Sequence, residues 1–150
     1  MDERGIASFQ MRQRLREYDN RLVARVEQTL SPKMIAGLKL ADARLSQFSE
    51  LLNVALQAPS APVVAEWVRY QMARGATQEQ WRGSKLGQAV LGDIADLKRD
   101  ARQLAAQVYL PEQVERGARE LQIELIRRYA GWLRRRFVAE MGGGADDEQG

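Results

Sequence analysis

The stretch Pro111 to Met141, PEQVERGARELQIELIRRYAGWLRRRFVAEM, decides the fold. Pro111 can open a helix, because the first turn has no partner for the N–H that proline lacks. Gly142 can close it, since glycine accepts a left-handed backbone at a helix end. Between them Ile126, Ala130, Leu133, Phe137 and Met141 recur at steps of four, three, four and four. Val114, Ala118, Leu121, Leu125, Tyr129 and Trp132 form an adjoining row, so the helix carries a broad apolar face. At about 100° per residue, Arg127, Arg128, Arg134 and Arg135 fall together on the far side. The glutamates Glu112, Glu115, Glu120 and Glu124 precede the arginine pairs, an order that suits the helix dipole.

Working back towards the N-terminus, the same periodicity recurs. Residues 5–30 predict a first helix, with Met11, Leu15, Tyr18, Leu22, Val26 and Leu30 spaced three or four apart. Ser31-Pro32 reads as a stop and a restart. A second helix is predicted from there to about Gln57, on the row Leu38, Ala41, Leu45, Phe48, Leu52 and Ala55. Ala58–Pro62 breaks the chain, and a short helix is expected over 61–74. Gly75 ends it, and Thr77-Gln78-Glu79-Gln80 has the spacing of a capping box. A further helix over 84–109 has the cleanest stripe: Leu86, Val90, Ile94, Leu97, Ala101, Leu104 and Val108. No segment alternates with period two, so no sheet is expected. The expected architecture is all-α: an antiparallel bundle of about five helices in one domain, residues 1–141. A disordered acidic tail is expected over 142–150.

Composition narrows the chemistry. Hydrophobic residues make up 45% and charged residues 29%, the balance of a soluble globular chain. There is no cysteine and no histidine, which removes disulfides, thiolate metal sites and the commonest general base. Ser84 and Lys85 are adjacent, and adjacent helical residues do not face each other, so they make a poor nucleophile–base pair. Asp93, Asp96 and Asp100 share one helix face with Lys98, Arg99 and Arg102 nearby, which reads as a salt-bridged surface. An enzyme, a metal site and a cofactor are therefore not expected. No apolar run approaches a membrane span, and the acidic start MDERGIASFQ lacks a signal peptide's apolar stretch. A cytoplasmic location with no membrane partner is the expectation.

The net charge is +3, and Asp146, Asp147 and Glu148 in the tail offset a more basic body. Two basic faces are candidates for phosphate contact. One is Arg127, Arg128, Arg134 and Arg135. The other is Arg69, Arg74, Arg82 and Lys85, interleaved with Tyr70 and Trp81. Arginine suits phosphate through its planar fork, and exposed rings beside cations suit single-stranded nucleic acid. Trp81, just after the expected cap, is a candidate interface residue, whereas Trp67 on an inner stripe is assigned to the core. The competing reading of both basic faces is a solvated surface partly neutralised by glutamate, with Glu124 beside the first pair.

Two pieces resemble a known family. Trp132-Leu133-Arg134-Arg135-Arg136-Phe137 resembles a Trp-Leu/Met-basic-Arg-Phe run in the final helix of the small all-helical subunits of type III CRISPR effector complexes. Val63 to Gly75 is similar to the mid-chain helix of the Csm small subunit, with its Leu-x-Tyr-x-x-x-Arg pattern falling on Val68, Tyr70 and Arg74, Val68 standing in place of the leucine. The first piece looks like the Cmr branch and the second like the Csm branch. The resemblance implies a non-catalytic subunit that stacks in the inner filament of a ribonucleoprotein. It would contact the backbones of guide and target RNA, other subunits and copies of itself. The alternative is a helical adaptor or oligomerising module that binds protein and no nucleic acid.

Overall fold

The computed structural model describes the backbone of residues 3–141 and the side chains from residue 8 onward; the predicted acidic tail, 142–150, lies outside the described residues. The fold is all-α, with no strand among those residues. Six α-helices follow one another: α1 (Glu3–Thr29), α2 (Pro32–Leu40), α3 (Leu45–Gln57), α4 (Ala61–Ala73), α5 (Leu86–Val108) and α6 (Val114–Met141). A π-helical turn, Glu79–Gly83, joins α4 to α5, and a 3-10 turn, Pro111–Gln113, leads into α6. No helix among the described residues is long and apolar enough to cross a membrane.

The stripes read from the sequence become the core. Met11, Leu15, Tyr18, Leu22 and Val26 of α1 are buried, as are Leu86, Val90, Ile94, Leu97 and Ala101 of α5. Leu121, Leu125, Ile126, Tyr129, Ala130, Leu133 and Phe137 of α6 join them in one continuous cluster. Helix α6 lies at the centre: it packs most extensively on α5, then on α3 and α1, and touches α4. Burial of these faces holds the helices together, at roughly 25 cal/mol for each Å² of apolar surface removed from water.

The predicted second helix is two helices. Ser31 caps α2 by accepting from the Met34 N–H at 3.2 Å, and Pro32 takes the first turn. The helix stops nine residues later because Asp42 turns left-handed, at φ 55°. The Ala43 N–H then donates to Leu38 O (2.9 Å) and the Asp42 N–H to Lys39 O (3.2 Å), the two bonds of a Schellman end. An aspartate in the slot glycine usually fills leaves no mark in the hydrophobic row, which runs on through Ala41. Gln80 then serves the start of α3, accepting from the Arg44 N–H at 3.0 Å.

The expected capping box does not form as read. The Thr77 hydroxyl donates back to the Gln71 carbonyl at 2.8 Å, and the chain coils into the wide π turn. That turn drives Trp81 inward, which corrects its assignment to an interface: the ring is 0% exposed. It meets Trp67 edge-on at 5.4 Å and Phe48 at 6.2 Å, and its Nε1–H donates to Gln47 Oε1 at 3.0 Å. Trp67 is partly buried against the core, in line with its core assignment.

The π turn also dictates Gly87. A Cβ there would lie 2.9 Å from the Trp81 backbone oxygen and collide with Met72, whereas one at Gly92 on the same helix meets nothing within 4 Å. Gly87→Ala is therefore expected to lower stability by about 1–3 kcal/mol through overpacking. Gly92→Ala is expected to raise it by about 0.5–1 kcal/mol through helix propensity. Urea unfolding of the two variants checks both signs.

Candidate nucleic-acid interface

The aspartate row on α5 is not a surface. Asp93 and Asp100 are buried, and their partners come from other helices. Asp93 accepts from Thr29 Oγ1 and Tyr129 Oη, each at 2.5 Å, and from Arg25 of α1 at 3.2 Å. Arg25 also donates to Asp96 at 2.9 Å and lies 4.0 Å from Asp100, which accepts from the Tyr18 hydroxyl. Arg99 flanks the group at 3.7 Å from Asp96. Burial disfavours the charge of Arg25, but its hydrogen bonds to Asp96 and Asp93 outweigh that, and its pKa is raised. Burial, then the charge and hydrogen bond of Asp93, push the Tyr129 hydroxyl well above its ordinary range. Burial and the hydrogen bond to Asp100 do the same to Tyr18. The salt-bridged-surface reading holds for the half-exposed Asp96–Arg99 pair and is corrected for Asp93 and Asp100, which belong to an internal polar tie among α1, α5 and α6. Among the described residues no acidic group is arranged to hold a metal ion.

The first basic face is largely engaged by neighbouring elements. Arg127 donates from Nε to the Ala55 carbonyl (2.9 Å) and from its terminal nitrogen to the Ala58 carbonyl (3.2 Å). It thereby satisfies carbonyls that the end of α3 leaves without helical partners. Arg128 bridges Asp19 of α1 (3.0 Å) and Glu124 (3.4 Å). Arg134 donates to the Ser49 hydroxyl at 2.8 Å. Arg135 is exposed, but its guanidinium lies over the Trp132 ring at 4.7 Å. The four arginines do not form one open surface, which corrects the reading of that side as a contact face. The cause is the central position of α6. Its far side meets α3 and α1, so Arg127, Arg128 and Arg134 are half-buried and find a helix end, acids and a hydroxyl there, while Arg135 stays exposed.

The second face stays outside. Arg69, Arg74, Arg82 and Lys85 are all exposed, and Tyr70 is 61% exposed. Arg69 and Arg82 come together from α4 and the π turn to line a hollow of about 170 Å³ with Met72, Ala73 and Leu91. Arg69 pairs with Glu66 at 2.7 Å, an exposed contact that competes weakly. Arg74 sits at the end of α4. Lys85 does not join them. It turns left-handed, at φ 70°, and lines a separate groove with Lys33. That groove, about 560 Å³ between α2 and the π turn, is not foreseen in the sequence reading. Its one sequence signal is Leu40, which falls after the last core position of α2 and is 91% exposed.

No family model, curated protein or solved structure matches this chain.

Two outcomes follow from the internal ties. Replacing Arg127 with Met keeps the apolar stem and removes the donors, and is expected to cost about 1.5–3 kcal/mol, measured by urea unfolding. Alkaline pH is the second. Below pH ~10 the tyrosines are protonated folded and unfolded, so their contribution is constant. Above it the unfolded chain releases protons that folded Tyr18 and Tyr129 keep, so stability falls as pH rises. In Tyr129→Phe that fall is expected to be shallower by about 1.4 kcal/mol per pH unit above pH ~10.

Proposed function

We propose that this chain is a non-catalytic, antiparallel helical module that holds the backbone of single-stranded RNA on its α4–α5 face. It would do so as a small subunit of a ribonucleoprotein of the type III CRISPR kind that its sequence resembles. The observation that carries the reading is the convergence of Arg69 and Arg82 on one hollow, with Arg74 and exposed Tyr70 close by along the chain from Arg69. Guanidiniums hold phosphates without regard to base, and an exposed ring offers a stacking surface. The Val68, Tyr70, Arg74 pattern fits this division, since Val68 is buried while Tyr70 and Arg74 face outward. The Trp132–Phe137 run gives no such support. Trp132 donates to Asp19 at 3.4 Å and Phe137 stacks on Phe48 at 4.3 Å, so that run is accounted for by packing.

A second reading, an adaptor that binds protein alone, is favoured by one observation. The internal engagement of Arg127, Arg128 and Arg134 removes much of the basic surface that RNA would need.

Fluorescence anisotropy with a labelled single-stranded RNA separates the two. The full chain is expected to bind with little sequence preference and to weaken with salt. Arg69→Glu combined with Arg82→Glu should bind at least ~10-fold more weakly at low salt, with a salt slope smaller by about 0.7 for each phosphate left without its arginine. Helical circular dichroism should not change. Equal affinity of the well-folded double variant would remove this face, and no binding at low salt would leave the adaptor.

A further inference from the structure

The groove between α2 and the π turn has a division that the RNA face lacks. Met34, Gly37, Leu40 and Ala41 supply an apolar side, and Lys33 and Lys85 stand at it from opposite elements. Leu40 is the most exposed large hydrophobic residue among those described, at 91%. A leucine left in water beside a concavity of about 560 Å³ is surface that a partner could bury. Neither lysine has an ion-pair partner among the described residues. The groove's one carboxylate, Glu79, is folded back on its own turn, where a Cβ on Gly83 would meet Glu79 Oε2 at 2.9 Å. The start of α2 also borders the groove, so the positive end of that helix adds to the lysines. The two lysines outnumber the one carboxylate along the lining, and the α2 side is aliphatic.

From this we propose that the groove docks a short acidic peptide segment of a partner protein, anchored by one large aliphatic side chain. The anchor packs on Leu40, Met34 and Ala41, and flanking carboxylates meet Lys33 and Lys85. Charge complementarity selects an acidic partner over a basic one. The aliphatic floor selects a peptide over a nucleic acid, because no aromatic side chain lines the groove to stack a base. Gly37 lines the groove with nothing within 4 Å of where its Cβ would stand, which leaves room for a peptide backbone on the α2 side.

The test uses the full chain and three synthetic peptides: Glu-Asp-Leu-Leu-Glu-Glu, the same peptide with both leucines replaced by serine, and Lys-Lys-Leu-Leu-Lys-Lys. Binding is followed by the amide NMR shifts of Gly37, Gly83 and Leu40. The acidic leucine peptide is expected to shift these amides in a saturable way. The serine peptide and the lysine peptide should each bind at least ~10-fold more weakly, as should the variants Leu40→Asp and Lys33→Glu with the acidic leucine peptide. Leu40 and Lys33 are exposed, so neither variant threatens the fold, and neither belongs to the RNA face. RNA binding is thus read separately, and failure of one site leaves the other standing. Equal binding of all three peptides, or shifts unaffected by Leu40→Asp, would overturn the proposal. So would saturable binding that appears only after Asp146, Asp147 and Glu148 are neutralised to Asn, Asn and Gln, since the chain's own acids would then be the occupant.

Discussion

Arg25 and the carboxylates around it are the constraint on which the architecture rests. Helix α1 is long and rich in charge, and its apolar stripe alone would let it slide along α5. The contacts of Arg25 with Asp93 and Asp96, and that of Tyr18 with Asp100, fix its position along the neighbour. Such a group adds little stability over an apolar replacement, because taking charges out of water costs nearly what their attraction returns. Breaking it is different. Removing Arg25 would strand buried carboxylates, at a cost on the order of 3–5 kcal/mol. The network therefore specifies one arrangement of α1, α5 and α6 more than it deepens the well. Tyr129 and Thr29 complete it by using the remaining acceptor of Asp93, so the buried charge is solvated by protein.

The same logic accounts for the arginines of α6. Where a central helix is flanked by neighbours, as α6 is from Arg127 to Arg134, part of its polar side faces other helices while Arg116, Arg119 and Arg135 stay in water. Long side chains with apolar stems and several donors suit that position, because they pack along the stem and bond at the tip. Arg127 closes the open end of α3, Arg128 reaches α1, and Arg134 reaches the first turns of α3. Charge density on a helix wheel is thus a poor guide to a binding face when the helix has neighbours on both flanks. Outer helices such as α4 have one flank free, and their exposed cations are a better guide.

What is legible in the sequence follows that boundary. The stripes of α1, α5 and α6, the restart at Ser31-Pro32 and the short helix over Ala61–Ala73 all depend on residues within a few turns of each other. They can be read because helical periodicity is local. The Asp42 corner cannot, since its signal is a backbone angle that aspartate tolerates without advertising. Trp81 departs from expectation because a π turn shifts the phase of the chain, and a ring expected outside rotates in. The partners of Asp93 and Arg128 lie 68 and 109 residues away in sequence, beyond the reach of any spacing rule. Of the candidate site, the exposure of Arg69, Arg74 and Arg82 is legible from their places on and after an outer helix, and the separation of Lys85 from them is not.

That separation traces to a single local event. Trp81 is pinned inside by Phe48, Trp67 and Gln47, so the residues around it must point away. Arg82 emerges towards α4 and the hollow it shares with Arg69. Three residues later Lys85, in its left-handed conformation, emerges towards α2 and the groove it shares with Lys33. The widened turn thus divides adjacent basic residues between two surfaces of different chemistry, one cationic with an exposed tyrosine nearby and one aliphatic with cationic edges. A regular helix through this segment could not do so, because residues three apart would share a face. A π-helical turn is rare, and its wider winding changes the direction in which successive side chains leave the chain. Here the aiming depends on a buried tryptophan, so the two surfaces are coupled to the core through one ring.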